Sequence, residues 1–79
     1  MFDHYKEARD LAGQLRKEAM SDFADKIISA MESGSTGTEI FMALRWEIGK
    51  LLEVKACSLP KHIRDKATIL YDELGNALK

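Results

Sequence analysis

The stretch Gly34–Glu53, GSTGTEIFMALRWEIGKLLE, limits what the rest of this sequence can build. It opens on Thr36-Gly37-Thr38-Glu39, the pattern of a capping box. The Thr36 hydroxyl is expected to accept from the Glu39 N–H, while the Glu39 carboxylate reaches back to the N–H of Thr36. Beyond the cap, at about 100° per residue, Ile40, Phe41, Leu44, Ile48, Leu51 and Leu52 fall on one broad face. Met42 and Trp46, one turn apart, form a second apolar strip on nearly the opposite side. A helix that is apolar on two sides needs neighbours on two sides. Residues 36–55 are therefore expected to form the central helix of a small bundle.

The flanking segments supply the companions. Tyr5, Ala8, Ala12, Leu15 and Ala19 recur at alternating intervals of three and four, which predicts a first helix from Phe2 to about Glu18. Asp3 and Glu7 near its start and Arg16 and Lys17 near its end suit the helix dipole. Gly13 inside it costs about 1 kcal/mol relative to alanine, tolerable where a neighbouring helix comes close. Ser21-Asp22 reads as a fresh N-cap, and Phe23, Ala24, Ile27, Ile28 and Met31 line the second helix as far as Ser33. One bent rod is the alternative, because Ala19, Phe23, Ile27 and Met31 trace a stripe without a gap. Ser-Asp is a poor helix interior and a good cap, which favours the break.

Gly34 supplies the stop after the second helix, as glycine does just past a helix C-terminus. The third helix is expected to fade around Lys55 to Cys57. Ser58-Leu59-Pro60 then restarts the chain, since proline is welcome in a first turn and disfavours helix at the residue before it. Ile63, Ala67, Leu70, Tyr71, Leu74, Ala77 and Leu78 mark the fourth helix. No strand-like alternation or internal repeat is visible. The expectation is all-α: a small four-helix bundle, one helical domain over residues 1–79.

Composition narrows the function classes. A chain of 79 residues hides only about 60% of the surface its unfolded form exposes, so modest stability is expected. With Cys57 as the single cysteine, no internal disulfide is expected. FDHYKEARD is charged from its third residue, unlike a signal peptide, and Arg45, Glu47, Lys50 and Glu53 break the most apolar run. A cytoplasmic protein without a membrane span is expected. Residues 1–39 carry five Lys/Arg against eight Asp/Glu, and residues 40–79 carry seven against five. That balance argues against wrapping a polyanion.

Catalytic and metal chemistry find little to work with. His4 and His62 are far apart in sequence, and His4, at a helical offset from Glu7, is expected to be solvated rather than ligating. Cys57 lacks an identifiable partner base and is expected to pack at a helix end. Ser21, Ser35, Thr36 and Ser58 are explained by capping, and GSTG lacks the lysine of a phosphate-binding loop. Asp72 and Glu73 point about 100° apart on a helix and share no site. No enzyme, no metal and no cofactor are expected.

Binding surfaces remain. Ala30, Gly34 and Ile40 have the spacing of a helix-turn-helix, whose recognition face would present Thr36, Gly37, Thr38, Phe41, Met42 and Arg45. Arg45 is the one cation there, where DNA readers carry several polar or basic groups, so a DNA-binding regulator is the alternative reading. Asp22, Asp25, Ser29 and Glu32 share the outer side of the second helix, and Asp3, Glu7 and Asp10 cluster on the first. They read either as a solvated acidic face, with Lys26 placed to pair with Asp22, or as a surface for a basic partner. The Met42–Trp46 strip has two readings as well: structure covered by helix one or four, or an exposed anchor for a partner or a homodimer seam.

The wording of Gly34–Trp46, followed by Leu51-Leu52 and a Leu-Pro before the last helix, resembles the small immunity proteins encoded beside contact-dependent and other polymorphic bacterial toxins. The likeness covers about twenty residues, and such proteins share no fixed binding motif, so no functional residue is carried over. The resemblance implies a stoichiometric inhibitor that covers the working groove of a cognate toxin, often a nuclease. The expected function is thus a non-catalytic protein-binding module. Its interface would use the acidic residues of helices one and two, with Trp46 and Met42 as apolar anchor. A self-associating structural bundle is a third reading.

Overall fold

A computed structural model of the chain describes residues 2–55 and 57–79. It contains four α-helices, α1 (His4–Lys17), α2 (Ser21–Ser33), α3 (Gly37–Lys55) and α4 (Lys61–Ala77), and no strand among the described residues. The all-α four-helix bundle expected from the sequence is present, and α1 and α2 are separate. No helix among the described residues is long and apolar enough to cross a membrane.

Local chemistry sets each boundary. Asp3 caps α1, its carboxylate accepting from the Lys6 N–H at 3.1 Å. The helix ends in a Schellman motif: Met20 N–H donates to the Leu15 carbonyl at 2.9 Å, and Ala19 N–H to Arg16 at 3.2 Å. Ala19 stands at the left-handed position, φ 62°, where glycine is usual. The break between helices is thus made by Ala19. Ser21, expected as the cap of α2, is its first helical residue, and Met20 precedes it without a side-chain cap.

The box at the head of α3 is half as expected. Thr36 Oγ1 accepts from the Glu39 N–H at 3.2 Å. The Glu39 carboxylate goes one residue further back, accepting from the Ser35 N–H at 3.3 Å and the Ser35 hydroxyl at 2.9 Å. Ser35 offers two donors to one oxygen where Thr36 would offer one. Gly34 follows the end of α2 as expected, in an extended conformation with φ −79° and ψ 143°. Glycine is needed there because a Cβ would collide with the Ile40 side chain and come within 3.0 Å of its backbone nitrogen. Ala56, within the stretch where α3 was expected to fade, lies outside the described residues. Pro60 sits immediately before α4, in the extended conformation that precedes a first turn.

The helices form a ring in which each packs on two neighbours, α1 on α2, α2 on α3, α3 on α4 and α4 on α1. Cross-helix pairs show that α4 runs antiparallel to both α3 and α1, and tie α1 to α2. Arg16 meets Asp25, Gly49 lies under Tyr71 and Arg45 beside Gly75, and His4 reaches Glu73 while Glu7 reaches Lys66. The interior is aliphatic: Leu11, Leu15, Ile27, Leu44, Ile48, Leu51, Ile63, Leu70 and Leu74 are fully buried. Each contributes about 1.5–3 kcal/mol by leaving water. Leu11 was absent from the expected stripe of α1, which is wider than its alternating spacing implied. No polar or charged residue is buried among the described residues.

Neighbours on two sides, α2 and α4, serve the broad face of α3. Of the two readings of the Met42–Trp46 strip, covered by helix one or four or left exposed, the structure shows the second. Because α1 and α4 pack on each other, neither is left to cover it.

Candidate functional site

Met42 is 58% and Trp46 65% exposed; among the described residues the other exposed large apolar side chains are Val54 on the same helix and Ile69 on α4. Spacing by one helical turn continues the strip through Lys50 to Val54, itself 62% exposed. Lys50 lays its ammonium 5.5 Å from the centre of the Trp46 ring, a cation–π contact that covers one face of the indole. The result is a ridge along α3 with a groove on either flank.

The groove between α2 and α3 gathers Asp25, Ser29, Met42, Ala43, Trp46 and Glu47. Four residues singled out from the sequence, Asp25, Ser29, Met42 and Trp46, thus meet in one place, although they lie on two helices. Asp22 and Glu32 are exposed on the same outward side of α2 as Asp25 and Ser29.

The other acidic residues do not join them. Asp3 is occupied as the cap of α1. Glu7 is half-buried against α4, where it accepts from Lys66 Nζ at 2.9 Å. Asp10 is exposed on α1. Two of the three acidic residues expected to cluster on helix one are therefore engaged within the fold. Asp25 is also paired, at 2.9 Å with Arg16. Lys26, expected to pair with Asp22, instead lies 5.6 Å from the centre of the Phe23 ring.

On the opposite flank, between α3 and α4, sits an arrangement the sequence reading missed. The Arg45 guanidinium stacks over Tyr71, 4.1 Å from the ring centre. Two helix-interior glycines make this possible. A Cβ on Gly49 of α3 would stand 3.0 Å from Tyr71 Cε1, and one on Gly75 of α4 would stand 3.0 Å from Arg45 Nε. Each helix thus gives up a side chain where the other lays one down. Arg45 Nε is sealed from water without an acceptor, and Arg45 enters no ion pair among the described residues. The signal in the sequence was the pair Gly49 and Gly75, each inside a helical pattern where no turn calls for glycine.

Two further expectations are corrected. His4 is half-buried, with Nε2 donating to the Glu73 carbonyl at 3.3 Å and its ring between Phe2 and Phe41, at 4.9 and 4.6 Å. Aromatic neighbours from the chain start and from α3 shield it. Cys57 is exposed in the turn after α3 rather than packed. Among the described residues, no group of three or more His, Cys, Asp or Glu is placed to hold a metal. Comparison with family models, with curated proteins and with solved structures returns no match.

Proposed function

We propose that the protein is a non-catalytic binding module, an immunity- or antitoxin-type inhibitor that docks on a cognate toxin through the ridge of α3 and the outer side of α2. The exposed Met42–Trp46 pair carries this reading. Tryptophan set on a rigid helix is a recurrent anchor of protein interfaces, because its large ring is buried on binding with little loss of rotamer freedom. Asp25 and Ser29 beside it, with Asp22 and Glu32 on the same side of α2, would give the polar rim, and their charge favours a basic toxin surface.

The DNA-binding alternative has less in its favour. Phe41 on the supposed recognition face is packed with His4 and Tyr5, and Arg45 is folded over Tyr71. A homodimer through the same ridge is tested by sizing, where Trp46→Glu would convert a dimer to monomer.

Co-expression with the product of the adjoining gene tests the inhibitor reading. Wild type restores growth, while Trp46→Glu and the combined reversal Asp22→Lys, Asp25→Lys and Glu32→Lys lose it. Absence of rescue by the wild type overturns the reading.

A further inference from the structure

The α3–α4 flank of the ridge has a different chemistry from the α2–α3 flank. Its groove is lined by Met42, Trp46, Tyr71 and Leu78 together with Arg45. Lys50 and Glu53 also line it, and an adjoining groove that shares Arg45 and Leu78 adds Asp72 and Lys79. Neither carboxylate is paired with Arg45.

We infer that Arg45, held flat by Tyr71 and Gly75, is a receptor for a carboxylate on an acidic, partly apolar segment of a partner protein. The segment's aliphatic neighbours would lie against Met42 and Trp46. This rests on the reading of α3 as a docking ridge and adds the chemistry of one of its flanks.

Three observations argue for a built site. First, the guanidinium is pre-positioned: its stacking on Tyr71 removes rotamer freedom that a ligand would otherwise have to freeze out. Second, the reciprocal glycines cost helix propensity in both α3 and α4, and what they accommodate is this stack. Third, Arg45 enters no ion pair among the described residues and its Nε–H is buried without an acceptor, so the cation has no carboxylate of its own, although a guanidinium binds one strongly. A single carboxylate suits the groove better than a polyanion, since a run of phosphates would meet Glu53 and Asp72 on its rims.

The test needs no toxin. Two blocked peptides, Leu-Glu-Leu and Leu-Gln-Leu, are titrated into the wild-type protein, with fluorescence of the sole tryptophan and the NMR resonances of the Tyr71 ring as readouts. The Glu peptide is expected to give a saturable response at concentrations up to about 10 mM, and the Gln peptide to bind about tenfold more weakly. Arg45→Gln should reduce the Glu peptide to the level of the Gln peptide, and helical circular dichroism checks that the variant is folded. The peptide comparison on wild type stands even if that variant fails to fold. Equal binding of the two peptides, or no saturable response to the Glu peptide, overturns the inference and leaves Arg45 as a clip between helices. Growth rescue is read separately, so loss of the inhibitor reading and loss of this site are told apart.

Discussion

The Tyr71 ring lies so close to the backbone of Gly49 that a Cβ there would stand 3.0 Å from Tyr71 Cε1, and the ring would have to give by a few tenths of an ångström. Gly13, where the sequence suggested a close helix neighbour, has open space where its side chain would be. The two should respond in opposite ways to alanine. Gly13→Ala gains about 1 kcal/mol of helix propensity with nothing to displace, raising Tm by about 4–8 °C. Gly49→Ala gains the same propensity but pushes Tyr71 off α3, so its Tm should not exceed that of the wild type. Thermal unfolding of the two variants side by side decides this.

Gly34 and Ile40 form a second close pair. Alanine can adopt the extended backbone of Gly34, so the obstacle is steric: the Ile40 side chain and backbone nitrogen occupy the Cβ position. A backbone atom cannot rotate away as a side chain can. Gly34→Ala is expected to cost about 1–3 kcal/mol, the range for forcing extra atoms into a packed site, measured by chemical denaturation. An unchanged midpoint would mean that the turn between α2 and α3 yields easily.

The Schellman turn that ends α1 carries alanine where glycine belongs. Left-handed geometry costs an L-residue about 1–2 kcal/mol, partly offset by the greater freedom glycine has when unfolded. Ala19→Gly should therefore stabilise the protein, by about 0.5–1 kcal/mol in net terms. Thermal unfolding would show a higher Tm for this variant, an unusual result for a change to glycine.

Two ion pairs tie α1 to its neighbours, at equal distance but in different surroundings. Arg16 and Asp25 are 48% and 64% exposed, whereas Lys66 and Glu7 are 21% and 30% exposed. Water and salt screen the first pair far more than the second. Arg16→Met is expected to change stability by under about 0.5 kcal/mol. Lys66→Met, which leaves Glu7 half-buried without its donor, should cost about 1–2 kcal/mol and lose less of that effect in high salt. Denaturation at low and at molar salt separates the two.

The aliphatic framework was legible because it depends on periodicity, which a sequence displays directly. Leu44, Ile48 and Leu51 fell on the buried face of α3, and Ile63, Ala67, Leu70 and Leu74 on that of α4. What escaped notice depends on which helices are neighbours. Arg45 and Tyr71 are remote in sequence, so their stacking, and the reason for Gly49 and Gly75, emerges only once α3 and α4 are antiparallel. Asp3 and Glu7 shared a helical face with Asp10, but capping and Lys66 engaged them before any partner could. The Met42–Trp46 strip was visible as apolar, yet its exposure follows from α1 closing on α4.

That exposure separates binding from stability within a single helix. Trp46 contributes little to the core, and alanine is a better helix former by about 0.5 kcal/mol. This gain nearly offsets the lost contact with Lys50, which at an exposed site is worth about 0.5–1 kcal/mol. Trp46→Ala should therefore unfold within about 0.5 kcal/mol of the wild type. Leu44, two positions earlier in α3, is fully buried, and Leu44→Ala should cost about 2–5 kcal/mol through lost transfer energy and the cavity it leaves. If the ridge is the docking surface, Trp46→Ala abolishes growth rescue at unchanged Tm, whereas Leu44→Ala reduces rescue only as far as it reduces the folded fraction. A Trp46→Ala protein that is both stable and fully protective would remove the ridge from the interface.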